Sequence, residues 1–169
     1  MIYDIVKYGD AVLEKPAEPV ATFDESLKKL VDDMFETMYA AQGVGLAAPQ
    51  IGLNRRLLVI DVTSGERPEA RLVLANPEIL HVEGEVSQEE GCLSLPGFRA
   101  HVRRPKFVTV RARDVHGMWY EMKGEDMLAR AFCHELDHLD GRLFIHHLSF
   151  LKRDMIKRKI KKKVKAGEW

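Results

Sequence analysis

The chain has 169 residues, 46% hydrophobic and 31% charged, a size and composition that fit one globular domain rather than a disordered or integral membrane protein. No apolar run approaches the roughly 18 residues of a membrane span, and Asp4, Asp10 and Glu14 interrupt the first twenty residues, where a secretory signal needs a continuous apolar stretch. Cytoplasmic residence is expected. Positive and negative residues balance at 26 each, yet residues 152–169 hold nine Lys and Arg against Asp154 and Glu168, so a local +7 sits on a body of −7 and any anionic partner should meet the C-terminus.

The first predicted element is a helix. Leu27, Leu30, Val31, Met34, Phe35 and Met38 recur at three- and four-residue spacing, Thr22 and Glu25 have the form of a capping box, and the helix should reach about Ala41 and stop at Gly43. Runs rich in Val and Ile follow, from Leu57 to Val62, Leu72 to Ala75 before an Asn76-Pro77 turn, Ile79 to Val86, Phe107 to Arg113 and Met118 to Met122; they read as strands, several of them antiparallel. A second helix, about Glu125 to Asp140, places Leu128, Phe132, Leu136 and Leu139 on one side and ends at Gly141. A third, from about Ser149, aligns Leu151, Met155, Ile160 and Val164 on one stripe among Lys and Arg. With no internal repeat or low-complexity linker, the chain reads as one α+β domain over residues 1–169. Short, largely antiparallel strands surround a central helix, with one helix before them and one after.

The second helix carries His134, Glu135, Leu136, Asp137 and His138, which puts two imidazoles one turn apart on one face, within reach of a single ion. Glu135, beside the first imidazole, can hold and deprotonate a water on that ion. A third ligand is missing from the place where the extended zinc-protease motif puts it, because Phe144 stands there. His146 and His147 would need an unfamiliar backbone turn. Cys92, 42 residues before His134 in Glu90-Gly91-Cys92-Leu93-Ser94, is the better candidate, and a thiolate with two imidazoles would leave a fourth position for water. An isolated cysteine is otherwise more often an inert buried thiol, the reading adopted for Cys133, and two cysteines are too few for a disulfide framework. His81, His101 and His116 have no partner spacing and receive no role.

Between the first helix and the first strand lies Gly43-Val44-Gly45-Leu46-Ala47-Ala48-Pro49-Gln50, whose paired glycines permit unusual dihedrals or close backbone approach, or simply a helix stop and turn. Together with Glu90–Ser94 and His134–His138, in that order, this segment resembles the three motifs of the peptide deformylase family, over nearly the whole chain. The resemblance implies that Cys92, His134 and His138 bind one divalent metal, Fe(II) in the cell with Zn, Ni or Co as replacements, and that Glu135 is the catalytic glutamate. It also implies that the Gln50 amide and the Leu93 N–H stabilise an oxyanion, and that the backbone at Val44, Gly45 and Gly91 receives the substrate as an added strand. The implied reaction removes the formyl group from the N-terminal formyl-methionine of new polypeptides and releases formate. Ribosome docking through the basic C-terminal helix and a monomeric state are further expectations. Two positions depart from the family pattern: Cys133 stands where Gln is common, and Arg130 puts a charge near the expected methionine pocket. Two rival readings are a protease cutting internal bonds, against which Phe144 argues, and a noncatalytic ribosome-binding module with a structural zinc, against which Glu135 and Gln50 argue.

Overall fold

The computed structural model describes residues 1–169 and is an α+β fold. Helix α1 spans Glu25–Ala40. A five-stranded antiparallel sheet follows in the order β1 (Gly45–Ala47), β2 (Leu57–Ile60), β3 (Leu72–Glu83), β6 (Phe107–Arg113), β7 (Trp119–Glu125), while β4 (Val86–Gly91) and β5 (Arg99–Arg104) form a separate antiparallel pair. Helix α2 is Met127–Leu139 and α3 is Phe150–Lys165.

Strand β2 explains the layering. All four of its residues are buried, because Leu57 and Val59 point into the cluster built with Leu27, Leu30 and Met34 of α1 while Leu58 and Ile60 point into the cluster built with Phe132, Leu136 and Leu139 of α2. Helix α2 therefore lies across one face of the sheet and α1 across the other. A third cluster, with Leu95, Val102, Phe144 and Ile160, ties the β4–β5 hairpin to α3.

Several boundaries differ from those expected of the sequence. Helix α1 is capped by Asp24, whose carboxylate accepts from the Leu27 N–H at 3.2 Å, so Thr22 lies outside it. Its end is made by Gln42 at φ 58° rather than by Gly43, where an added Cβ would fall 2.9 Å from Leu93 Cδ1. Asn76 and Pro77 do not end a strand: β3 runs through them as a bulge, since Pro77 cannot donate to the ladder, and Asn76 at φ 50° bonds its side chain to the Val20 N–H and C=O. The run from Ile79 to Val86 is divided by Gly84 at φ 70°, with β3 before it and β4 after. Strand β7 starts one residue later than expected and reaches Glu125, so α2 begins only at Met127. Strands β1 and β5, and β4 beyond Val86, lie outside the runs expected of the sequence. Three residues carry no periodicity, and β5 reads Arg-Ala-His-Val-Arg-Arg, in which the buried positions are Val102 and the charged Arg104.

Candidate metal centre and active site

Ligand atoms of Cys92, His134 and His138 lie within 4.8 Å of one another. Helix α2 supplies the imidazoles, one turn apart with ring centroids 5.0 Å from each other, and the turn after β4 supplies the thiol. Cys92 Sγ is 3.3 Å from His138 Nε2. Sulfur and nitrogen bound at about 2.3 and 2.1 Å to one tetrahedral ion would stand about 3.6 Å apart, so the donor set fits a single divalent cation. Burial drives the His138 pKa well below its ordinary value and keeps that ring neutral, with a lone pair free. Burial also opposes charge on His134, yet hydrogen bonds with Cys92 and Glu90 hold its pKa well above the ordinary value, which marks a place that favours a positive charge. Phe144, in the position of the absent third histidine, is buried and stacks on the His134 ring at 6.5 Å between centroids. His147 pairs with Asp137 and His146 with the backbone of Leu143, so neither faces the cluster.

Glu135 is 4% exposed and its Oε2 has no hydrogen-bond partner, an expensive arrangement for a carboxylate. Burial pushes its pKa up to about 7, with the charge on His134 pulling the other way, and a cation held by His134 and His138 would pull it further down. Its Oε1 lies 3.9 Å from His134 Nε2. Strand β1 passes directly over it: a Cβ on Gly45 would come 2.8 Å from Glu135 Oε1, so no side chain fits there without displacing the carboxylate.

Gln50 is 1% exposed, and its amide orientation is set by its neighbours. Its Oε1 accepts from the Ala47 N–H at 3.0 Å, which turns Nε2 toward Ser94 Oγ at 3.2 Å and Cys92 Sγ at 3.7 Å. A donor thus faces the cluster. The Leu93 N–H makes no hydrogen bond within the protein, and Leu93 lines the same cleft of about 550 Å³ as Gln50 and Glu135. Val44, Gly45 and Gly91 line it too. β1 is paired only with β2 and β4 only with β5, so each presents an unpaired edge in the region of this cleft. All nine residues expected at the site are brought together.

Comparison with known proteins agrees with this arrangement. The polypeptide deformylase family model matches residues 2–154. The chain belongs to the polypeptide deformylase family. It is similar to the peptide deformylase of Acidobacterium capsulatum, 59% identical over 169 residues that cover 100% of this chain and 99% of that one. Among solved structures it resembles the peptide deformylase of Legionella pneumophila, with a TM-score of 0.91, 48% identity and coverage of 99% and 98% of the two chains. The peptide deformylase of Thermus thermophilus gives a TM-score of 0.89 at 42% identity, covering 99% and 98%.

Two further residues of this deformylase-family chain, Glu90 and Arg104, support the cluster and carry no spacing signal of that role in the sequence. Glu90 Oε2 accepts from His134 Nδ1 at 2.7 Å, and the same carboxylate is gripped by the Arg104 guanidinium at 3.1 and 2.8 Å. Glu90 and Arg104 are 6% and 4% exposed. Although burial alone would raise it, hydrogen bonds from His134 and Arg104 hold the Glu90 pKa far below the carboxylate range. A carboxylate on Nδ1 fixes the ring orientation and keeps Nε2 turned toward the cluster, where a bound cation would take the place of its proton. Glu90 sits two residues before Cys92, which places it near the cluster without giving its role, and Arg104 is reached only through the β4–β5 pairing. Arg130, expected to bring charge to the pocket rim, instead donates to Glu90 Oε1 and to the carbonyls of Val86 and Val102 at 2.9–3.0 Å, leaving its stem at the cleft wall. Cys133 is buried in the core cluster between α2 and the sheet, where burial pushes its thiol up to about 11.

Glu90→Gln will weaken metal affinity by about 10- to 100-fold. It will also destabilise the fold by about 3–5 kcal/mol, because Arg104 keeps its charge in the interior with half its partners gone. A chelator competition titration and urea denaturation measure the two effects; if both match the parent protein, Glu90 does not hold His134.

Proposed function

We propose that this chain removes the formyl group from the N-terminal formyl-methionine of new polypeptides, releasing formate and a free amine. The observation that carries the reading is the convergence of the Cys92 thiol, the His134 and His138 rings, the Glu135 carboxylate and the Gln50 amide beside two unpaired strand edges. Membership of the deformylase family over residues 2–154 supports it. We read residues 1–169 as a single catalytic domain.

Cys92, His134 and His138 would hold one divalent ion, whose chemistry is that of a Lewis acid lowering the pKa of a water toward about 7. Val44, Gly45 and Gly91 take the substrate backbone as a strand between β1 and β4, which aims the formyl group at the cluster. Glu135 accepts the proton of the attacking water and delivers it to the departing amine, a transfer that its burial beside the reaction favours. The Gln50 Nε2 and the Leu93 N–H donate to the formyl oxygen as charge grows on it. Met127, Ala131 and the Arg130 stem offer the methionine side chain an apolar wall.

Release of formate from a formyl-methionyl peptide, and no release of acetate from its acetylated counterpart, is the expected result; equal cleavage of both, or of neither, would refute the reading. Gln50→Ala will bind metal normally and turn over about 100- to 1000-fold more slowly. Unchanged turnover would remove Gln50 from the reaction.

A thiolate with two imidazoles suits Fe(II), and Zn, Ni or Co as replacements. Fe(II) is proposed as the cellular ion, to be tested by metal analysis of protein prepared without oxygen. The cytoplasm and a monomeric state are proposed as well; no helix of the chain is long and apolar enough to cross a membrane. Helix α3 is proposed to dock on the ribosome through its exposed basic face. Because Ile160 of α3 belongs to the core, charge reversal of the exposed Lys157, Lys161 and Lys165 is a better test than truncation. Cosedimentation with ribosomes should be lost in that variant and in high salt.

A further inference from the structure

A second concave surface, of about 680 Å³, lies between α3 and the Gly97–His101 segment. It adjoins the catalytic cleft, because Gly97, Phe98 and Arg99 line both. Lys152, Lys159, Lys162 and Lys163 project from α3 along one side and Arg99 and His101 stand on the other, and no carboxylate lines it. None of those four lysines forms an ion pair; the single ion pair within α3 is Arg158 with Asp154. Of the lysines and the arginine here only Arg99 is matched, by Glu89 at 2.6 Å on the cleft side. The floor is apolar, with Leu148, Met155 and Ile156.

We infer that this groove is an exosite for acidic side chains in the part of the peptide substrate downstream of its first few residues. The inference rests on the deformylase reading and extends it to the substrate class. Three observations favour a peptide. An extended chain gains ~3.3 Å per residue, and the cleft and the groove share Gly97, Phe98 and Arg99, so a chain leaving the cleft past those residues meets the groove. Unpaired lysines supply charge complementary to Asp and Glu, and the apolar floor suits the aliphatic residues between them. Single-stranded nucleic acid, the other polyanion, binds by stacking bases on free aromatic faces. Of the two rings that line the groove, Phe98 already meets Trp169 edge-on at 6.0 Å and carries Lys163 Nζ 5.7 Å from its centroid, which leaves the His101 imidazole alone and no run of faces for successive bases.

The groove should act on KM and leave kcat alone, since it lies outside the cluster that performs the chemistry. Solvent-exposed charge pairs are individually weak, so several together are expected to lower KM by about 3- to 10-fold. The test uses the metal-loaded full chain and four formylated substrates: formyl-Met-Ala-Ser, which is too short to reach the groove, and three nonapeptides carrying Glu, Gln or Lys at positions five to eight. The Glu nonapeptide should have the lowest KM and lose its advantage in 0.5 M salt. In the Lys159→Glu, Lys162→Glu double variant the order of the nonapeptides should reverse, while kinetics on the tripeptide match the parent protein. Equal KM values for the three nonapeptides, with the tripeptide still deformylated, would overturn the exosite and leave the activity standing. No formate from any substrate would overturn the activity and the exosite with it. Binding of polyuridylate that the double variant abolishes, with nonapeptide KM values unmoved, would assign the groove to nucleic acid and overturn the inference.

Discussion

Glu135→Gln is expected to keep its metal ion and lose turnover by about 100- to 10,000-fold. The carboxylate is not among the clustered donor atoms of Cys92, His134 and His138, so metal content should equal that of the parent protein. Its Oε2 is buried with no partner and burial raises its pKa to about 7, so an uncharged isostere relieves a desolvation cost instead of creating one. The variant should therefore unfold at the same temperature or a higher one. Retained activity would exclude Glu135 as the proton carrier, whereas a drop in thermal stability with lost metal would mean that it supports the cluster instead.

Cys92→Ala is expected to lose the ion. The thiol is one of three donors, and removing it leaves two rings of one helix, with His146 and His147 engaged elsewhere and no second thiol in the cluster. Metal affinity should fall by at least about 100-fold, more than the loss expected for a supporting carboxylate such as Glu90. Metal that binds only the folded chain also stabilises it, so a chelator should lower the melting temperature of the parent protein and leave that of the variant unmoved. Full occupancy in Cys92→Ala, measured after dialysis, would contradict the ligand set.

The parts of this site legible in the sequence are those whose geometry is local. His134 and His138 meet because a helix places i and i+4 on one face, and the apolar stripe of α2 makes that helix certain to form. The glycines around Val44 signalled close approach, and the structure shows what approaches, the Glu135 carboxylate. Cys92 is legible through its Gly and Ser neighbours, the exclusion of Phe144, His146 and His147, and the deformylase resemblance, because no spacing rule connects a strand end with a helix 42 residues later. Strand β5 was missed for a related reason: its alternation reads as charged because Arg104 faces inward, and a buried arginine is legible only once Glu90 and Asp137 are seen around it. Asn76-Pro77 misled in the opposite direction, since a turn signal became a bulge when β6 and the Val20 backbone held both sides of the chain in line.

By itself the sequence determined the class, the three helices, the paired imidazoles with their glutamate, and the charge imbalance at the C-terminus, all consequences of periodicity or composition that act within a few residues. Only the tertiary structure decided that β1 and β4 keep unpaired edges by the cleft, that Glu90, Arg104 and Arg130 lock the hairpin to α2, and that the lysines of α3 line a groove adjoining the cleft. Those features depend on contacts between residues far apart in the chain, and such contacts are selected by the packing of two sheets and three helices rather than by local preference.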